Sequence, residues 1–422
     1  MQTITKTEAG LPGRLFYKML PSGLKCTIIQ RNDCRAVRCL VAVGFGAADR
    51  ALYRRGVRQE LPAGTAHFLE HKMFEQAEGD CFAAFAADGA QANAFTDAEK
   101  TVYYVATETG WERQLGRLLH MVSHTGFSAA SVARERDIIG REIDMYDDRG
   151  DWRAYFQMLQ ALYPGKPWAE PVAGSRESIA PITARHLQNA HAAYYRPENM
   201  ALVCVGPVEP ERVLALAATK LAHPGAGELW PCIRGESARP PRPARAVVRH
   251  TLALTQPVFA WGISLPAAAG ELAAQTRQTA LLELLFGGGS DFFGRAYDRG
   301  LLDEPPELLG MRGRGYACAA LTGTSPVPER VRDLAVQAVE KARRDGFSVG
   351  AFERVCRRLQ GDFLRRAGNP AQALVEQAAL SLENTDLTAV AQAWRAITLA
   401  EVESQLAWLK PEQTVLSVVG PA

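Results

Sequence analysis

The sequence predicts an α+β chain built from two homologous domains, each a mostly antiparallel sheet covered by helices. Three observations carry the prediction. Strand-like runs come before helical runs within each half instead of alternating with them, which segregates helices onto an antiparallel sheet. Each half closes on a short β-rich run ending in Gly-Pro, Leu202 to Pro207 in the first and Val415 to Pro421 in the second. A stretch rich in Pro, Gly and Arg at 223–250 lies between the halves and reads as a linker. The expected division is a catalytic domain at 1–222, the linker at 223–250 and a homologous domain at 251–422.

In order along the first half, 24–30 and 36–46 are apolar, β-branched runs and read as a strand pair. A helix is expected at about 64–76, an Ala-rich helix at 80–88 and a second strand pair within 90–108. Helices are expected at 111–124, 128–146, 151–162 and 183–194, before the closing strand. Gly206 and Gly420 are 214 positions apart, and the same offset lays Gly64-Thr65-Ala66 on Gln278-Thr279-Ala280. Each triplet opens an apolar helical stretch preceded by a strand-like run, Leu40 to Gly44 or Val258 to Gly262. Glu135-Arg136-Asp137-Ile138 resembles Glu353-Arg354-Val355-Cys356 at an offset of 218, so a four-residue length change reconciles the two offsets. The chain reads as a duplication.

Composition bounds the function. Of the 422 residues, 47% are hydrophobic and 22% charged, which excludes disordered, collagen-like and coiled-coil chains. Forty-eight Lys and Arg against forty-six Asp and Glu leave a formal charge of +2, without the basic excess that phosphate backbones demand. No apolar run approaches the roughly 18 residues of a membrane span. The N-terminus has no apolar core of a secretory signal, and Glu8 with the following Gly-Leu-Pro-Gly interrupts any amphipathic helix. Eight cysteines occur without a Cys-x-x-Cys pair, which fits free thiols in a reducing, cytoplasmic setting.

The chemistry is concentrated in Gly64 to Glu75. On a helix His67 and His71 stand at i and i+4, so both imidazoles leave one face, as two nitrogen ligands of a tetrahedral zinc must. Glu70 lies beside the same face, placed to take a proton from a metal-bound water. This order, His-x-x-Glu-His, inverts the commoner zinc peptidase helix. Without a metal, the same residues would be two satisfied histidines on a half-buried helix. A third ligand is best sought in 133–146, where Glu135 and Glu142 lie two turns apart on one helical face, alongside Ile138 and Ile139. That apolar stripe is expected to turn the carboxylates toward the interior, where a charge needs a metal or a partner.

With a Glu-Arg-x-x-Ile-x-x-Glu helix about seventy residues after His67-x-x-Glu70-His71, the chain resembles the insulinase/pitrilysin family of zinc metallopeptidases. Asn93-Ala94-Phe95-Thr96 followed by Thr101 to Tyr104 is similar to that family's substrate-binding edge strand. Tyr195-x-Pro197-x-Asn199-Met200 resembles its domain-closing signature. The likeness spans about residues 20–210, continues faintly through the duplication, and is nearest to the bacterial short form with two homologous domains.

The resemblance implies that His67, His71 and Glu142 bind one Zn2+ per chain, that Glu70 is the general base, and that Glu135 orients a ligand histidine. It implies that Asn93, Ala94 and Phe95 meet an extended peptide added as an extra strand. It further implies that the chain supplies half of a clamshell chamber, completed by a homodimer or by a homologous and catalytically inactive sister subunit. Under the two offsets His67, Glu70 and His71 fall on Leu281, Leu284 and Leu285, and Glu142 on Gln360, so one site per chain is expected. Arg312, Arg314 and Tyr316 form a suggestive cluster for an oxyanion, or a basic exposed turn. The leading function is a zinc endopeptidase acting on extended peptides or a precursor's leader segment, with no nucleic-acid or membrane partner. Its rivals are a non-catalytic binding or scaffold subunit and a structural zinc site. Inactive relatives lose ligands, whereas this chain keeps them, and a structural zinc leaves Glu70 without a role.

Overall fold

A computed structural model describes residues 4–8, 10–221, 228–232, 242–266 and 271–421. In chain order the elements are β1 (Ile4–Lys6), β2 (Arg14–Met19), β3 (Lys25–Gln30), β4 (Val37–Val43), β5 (Ala51–Arg54), β6 (Val57–Glu60) and α1 (Thr65–Met73). There follow β7 (Glu75–Gln76), β8 (Gly79–Asp80), α2 (Cys81–Ala87), β9 (Gln91–Thr96), β10 (Thr101–Thr107), α3 (Trp111–Ser123), α4 (Ala129–Asp147) and α5 (Gly150–Leu162). Then come α6 (Arg176–Ile179), α7 (Ala184–Tyr194), β11 (Met200–Gly206), α8 (Pro210–Lys220) and β12 (Leu229–Pro231). The remainder is β13 (Val247–Thr251), β14 (Val258–Leu265), α9 (Leu272–Phe286), α10 (Asp291–Asp298), β15 (Glu307–Gly313), β16 (Tyr316–Thr324) and α11 (Pro328–Asp345). The chain ends with α12 (Val349–Gly368), α13 (Pro370–Leu382), α14 (Leu387–Ala396), α15 (Leu399–Ser404) and β17 (Thr414–Gly420).

The expected duplication is written in the sheets. One runs β1-β2-β3-β11-β4-β10-β9 and the other β13-β17-β14-β16-β15. In each, a closing strand ending in Gly lies parallel to the first core strand: Gly206 opposite Gln30, and Gly420 opposite Thr251. The same closing strand runs antiparallel to the next, β11 on β4 and β17 on β14, and an antiparallel hairpin finishes the edge. This corrects the expected pairing of 24–30 with 36–46, because β11 inserts between β3 and β4. Every residue of β11 is buried. A strand so uniformly apolar belongs in the sheet centre, where both faces are covered.

The chain forms two compact units, and neither is continuous in sequence. The first comprises Met1–Arg141, Pro171–Ile233 and Asp362–Ala391, and the second Glu142–Glu170, Arg234–Gly361 and Gln392–Ala422. The division expected at 223–250 therefore leaves out an exchange of helices. The sheet of the first unit carries α13 against β3, β4 and β11, and that of the second carries α5 against β13, β14 and β17. The reason is apolar burial: Ala154, Met158, Leu159 and Leu162 of α5, and Ala373, Leu374 and Ala378 of α13, are all buried. Much of the expected linker lies outside the described residues. Within it Leu229–Pro231 pairs with β5, and Val247–Thr251 pairs with β17, so the second sheet begins before residue 251.

The helix expected at 64–76 stops at Met73 and gives way to β7. It starts at Gly64, whose φ of 83° and close approach to Ala173 and Ile179 leave no room for a Cβ. All eight cysteines are free, and Cys39 and Cys204, opposite each other on β4 and β11, place their Sγ atoms 3.4 Å apart.

In the second unit, a Cβ on Gly262 of β14 would overlap Met158 Sδ and Leu162 of α5. Gly262→Ala is expected to destabilise the chain by about 1–3 kcal/mol through overpacking. Chemical denaturation checks this, and Met158→Ala in the same chain should recover part of the loss.

Candidate metal centre

Nine residues of α1 lie against β9, β10 and α7, and all but His71 are buried. A helix so enclosed has little freedom to turn, and it fixes the direction in which His67 and His71 leave. Their ring centroids are 4.7 Å apart. Glu142 on α4 completes the group: one ligand atom from each of His67, His71 and Glu142 lies within 4.8 Å of the others. Two imidazole nitrogens and a carboxylate oxygen, partly open to solvent on the His71 side, are a donor set that suits zinc and leaves a coordination position for water or substrate.

The protonation state agrees with ligation. Burial lowers the pKa of His67 to about 3, helped by His71 and opposed by Glu135, so its imidazole is neutral at physiological pH. His71 Nδ1 meets Glu135 Oε1 at 3.0 Å. With Nδ1–H as donor to the carboxylate, Nε2 is the nitrogen presented to a metal. The His71 hydrogen bond holds Glu135 below the usual carboxylate range, against desolvation and with support from Lys72.

Glu70 is buried, and its Oε2 accepts from Thr96 Oγ1 at 2.6 Å. Thr96 also lies 3.2 Å from Thr101 Oγ1, which donates to the Phe45 carbonyl. Nearby, the buried hydroxyls of Tyr103 and Tyr195 are 2.6 Å apart. Burial pushes both phenols up, and the neighbouring Glu70 charge adds to it, so both keep their protons.

The interior placement expected for the α4 stripe needs correction. Val132, Ile139 and Ile143 are buried, whereas Ile138 is 46% exposed and Glu135 and Glu142 are half-buried. At about 100° per residue the carboxylates flank the buried stripe, and Ile138 lies beyond them on the solvent side. Asn93, Ala94 and Phe95 lie on β9, the edge strand of the first sheet. The Ala94 N–H donates to Asn93 Oδ1 at 2.8 Å. In the signature around Tyr195, Asn199 Nδ2 donates to the carbonyls of Tyr194 and Gly44, so this residue ties the closing strand to the end of β4.

At the second unit's hairpin Tyr316 is buried and stacks on Trp168 with centroids 4.8 Å apart, which removes it from an exposed turn. Leu281, Leu284 and Leu285 are buried apolar residues of α9, and Gln360 donates to the Trp394 carbonyl. Sequence reasoning gave no role to Thr96, Tyr103 or Lys72. Thr96 was within reach, being the last residue of the edge-strand motif, and Lys72 is a charge set between His71 and the apolar pair Met73-Phe74.

The same five-strand core recurs in both units, and one copy carries an inverted His-x-x-Glu-His helix. Residues 54–176 match the sequence model of the insulinase family, peptidase family M16, and residues 181–359 match that of the peptidase M16 inactive domain. The chain belongs to this family. It is 29% identical over 401 residues to the uncharacterized zinc protease YmfH of Bacillus subtilis (strain 168), covering 92% of each. Over 48% of its length it is 29% identical to a protein of Schizosaccharomyces pombe named "Probable mitochondrial-processing peptidase subunit beta", covering 44% of that protein. A solved M16-like peptidase candidate from Alicyclobacillus acidocaldarius superposes with a TM-score of 0.89 at 27% identity, over 100% of this chain and 99% of that one. Among the described residues no helix is long and apolar enough to cross a membrane.

The buried state of His67 has a measurable consequence in the metal-free chain. The unfolded histidine takes a proton near its ordinary 6.5 and the folded one only near 3, so stability is lost as pH falls through this window. Between about pH 6 and pH 4, His67→Gln should flatten the slope of unfolding free energy by up to about 1.4 kcal/mol per pH unit. Equal slopes would show that His67 is not held neutral.

Proposed function

We propose that the chain is a zinc-dependent endopeptidase, with the approach of His67, His71 and Glu142 as the observation that carries the reading. Zinc held by these three residues would polarise the scissile carbonyl and acidify a water. Glu70 is the general base: its carboxylate takes a proton from the attacking water and passes it to the leaving amine nitrogen. Thr96 fixes one oxygen of that carboxylate, which supports a defined angle of approach. Glu135 holds the tautomer of His71.

The exposed edge at β9 suits a peptide bound in extended form, which adds to the sheet beside Asn93, Ala94 and Phe95 through backbone hydrogen bonds. Such recognition favours unfolded peptides or a leader segment over folded proteins. The buried leucines on α9 support one zinc per chain. The subunit name of the S. pombe relative supports a working unit of two homologous chains, either a homodimer or a pair with an inactive sister. The scaffold alternative is disfavoured by the intact donor set and by the hydrogen-bonded base beside it.

Elemental analysis tests the site. About one zinc per wild-type chain is expected, with none in a His67→Ala/His71→Ala variant and a zinc affinity lower by about tenfold or more in Glu142→Gln. Wild type that takes up no zinc would remove the peptidase reading. Glu70→Gln should keep zinc and lose peptide hydrolysis by about a hundredfold or more in kcat. Retained turnover would take the base role from Glu70.

A further inference from the structure

Lys72 follows the ligand histidine His71 on α1, and its side chain is only 3% exposed. Lysine is almost never buried this far unless paired. Its Nζ has two carboxylate partners, Glu75 Oε2 three residues on and Glu135 Oε2 at 3.5 Å. Glu135 is therefore engaged through both oxygens, Oε1 by His71 Nδ1 and Oε2 by the ammonium. A carboxylate held at one oxygen can pivot about its last torsion, which is broad and soft. Held at both, it keeps one plane and so fixes the imidazole hydrogen-bonded to it. An apolar side chain of equal length would fill the same buried space without desolvating an ammonium. The lysine thus has a reason beyond packing.

We propose that Lys72 is a positioning residue of the metal centre: it clamps Glu135 so that His71 presents its metal-binding nitrogen at a fixed angle. The proposal rests on the zinc reading above.

The test is zinc affinity by chelator competition in Lys72→Met, together with the visible absorption of the Co2+-substituted chain, which reports ligand orientation. Roughly tenfold weaker zinc binding and an altered cobalt spectrum are expected, with unchanged circular dichroism. Glu75→Gln, which takes the charge from the other partner of Lys72 and leaves the contact with Glu135 in place, should keep wild-type affinity and spectrum. In a Glu135→Gln chain, Lys72→Met should cause no further loss, because the clamp has nothing left to hold. Unchanged affinity and spectrum in Lys72→Met, or a full additional loss in the Glu135→Gln chain, overturns the proposal. Should the methionine variant fail to fold, Lys72→Gln is measured in the same way with the same expectations. A wild-type chain without zinc overturns the peptidase reading itself. A wild type that binds zinc no better than Lys72→Met overturns only the role of Lys72.

Discussion

The centre depends on one hydrogen bond, between His71 Nδ1 and Glu135 Oε1, joining residues 64 positions apart. It fixes which imidazole nitrogen faces outward, and it ties α1 to α4, the helix that also carries Glu142. The remaining geometry follows from how firmly the two helices are held. α1 is enclosed by β9, β10 and α7, while α4 carries a buried stripe of Val132, Ile139 and Ile143. Burial here serves geometry: a helix wedged among apolar neighbours cannot roll, so side chains one turn apart keep their spacing.

The same burial sets the electrostatics. His67 is driven to its neutral form by desolvation, the state in which imidazole can donate a lone pair to a metal. Glu135 is kept ionised by His71 and Lys72 despite partial burial. Glu70 sits among hydroxyls, with Thr96 donating to it directly and the phenols of Tyr103 and Tyr195 close by. Glu70 and Glu135 thus meet different environments, hydroxyls for the one and an imidazole with an ammonium for the other, which supports the proposed split between a base and an orienting group.

Duplication explains why the described residues of so large a chain hold one such donor cluster. Five strands of the first sheet, β3-β11-β4-β10-β9, keep the order of the second, with the same parallel pairing of the closing strand. The helix corresponding to α1 has Leu281, Leu284 and Leu285 where the first copy has His67, Glu70 and His71, and these leucines are buried. Replacing donors by leucine relieves the cost of burying polar groups, so this copy contributes packing where the first holds the donor set.

Much of this was legible in the sequence because it depends on local spacing. His67 and His71 at i and i+4, Glu70 between them, and Glu135 and Glu142 two turns apart follow from helical periodicity alone. The repeated Gly-Pro ends revealed the duplication, since Met200–Gly206 and Thr414–Gly420 are the same strand 214 residues apart. Tertiary structure decided what spacing cannot encode. The insertion of β11 between β3 and β4 depends on long-range pairing, and the exchange of α5 and α13 depends on which sheet offers an apolar face. Ile138 looked interior because it shares a stripe with the carboxylates, but the packing of α4 buries Ile139 and Ile143 and leaves Ile138 in solvent. Thr96 met Glu70 and Lys72 met Glu135 only when β9 and α4 came alongside α1, because a hydroxyl or an ammonium in sequence does not disclose which distant carboxylate it will meet.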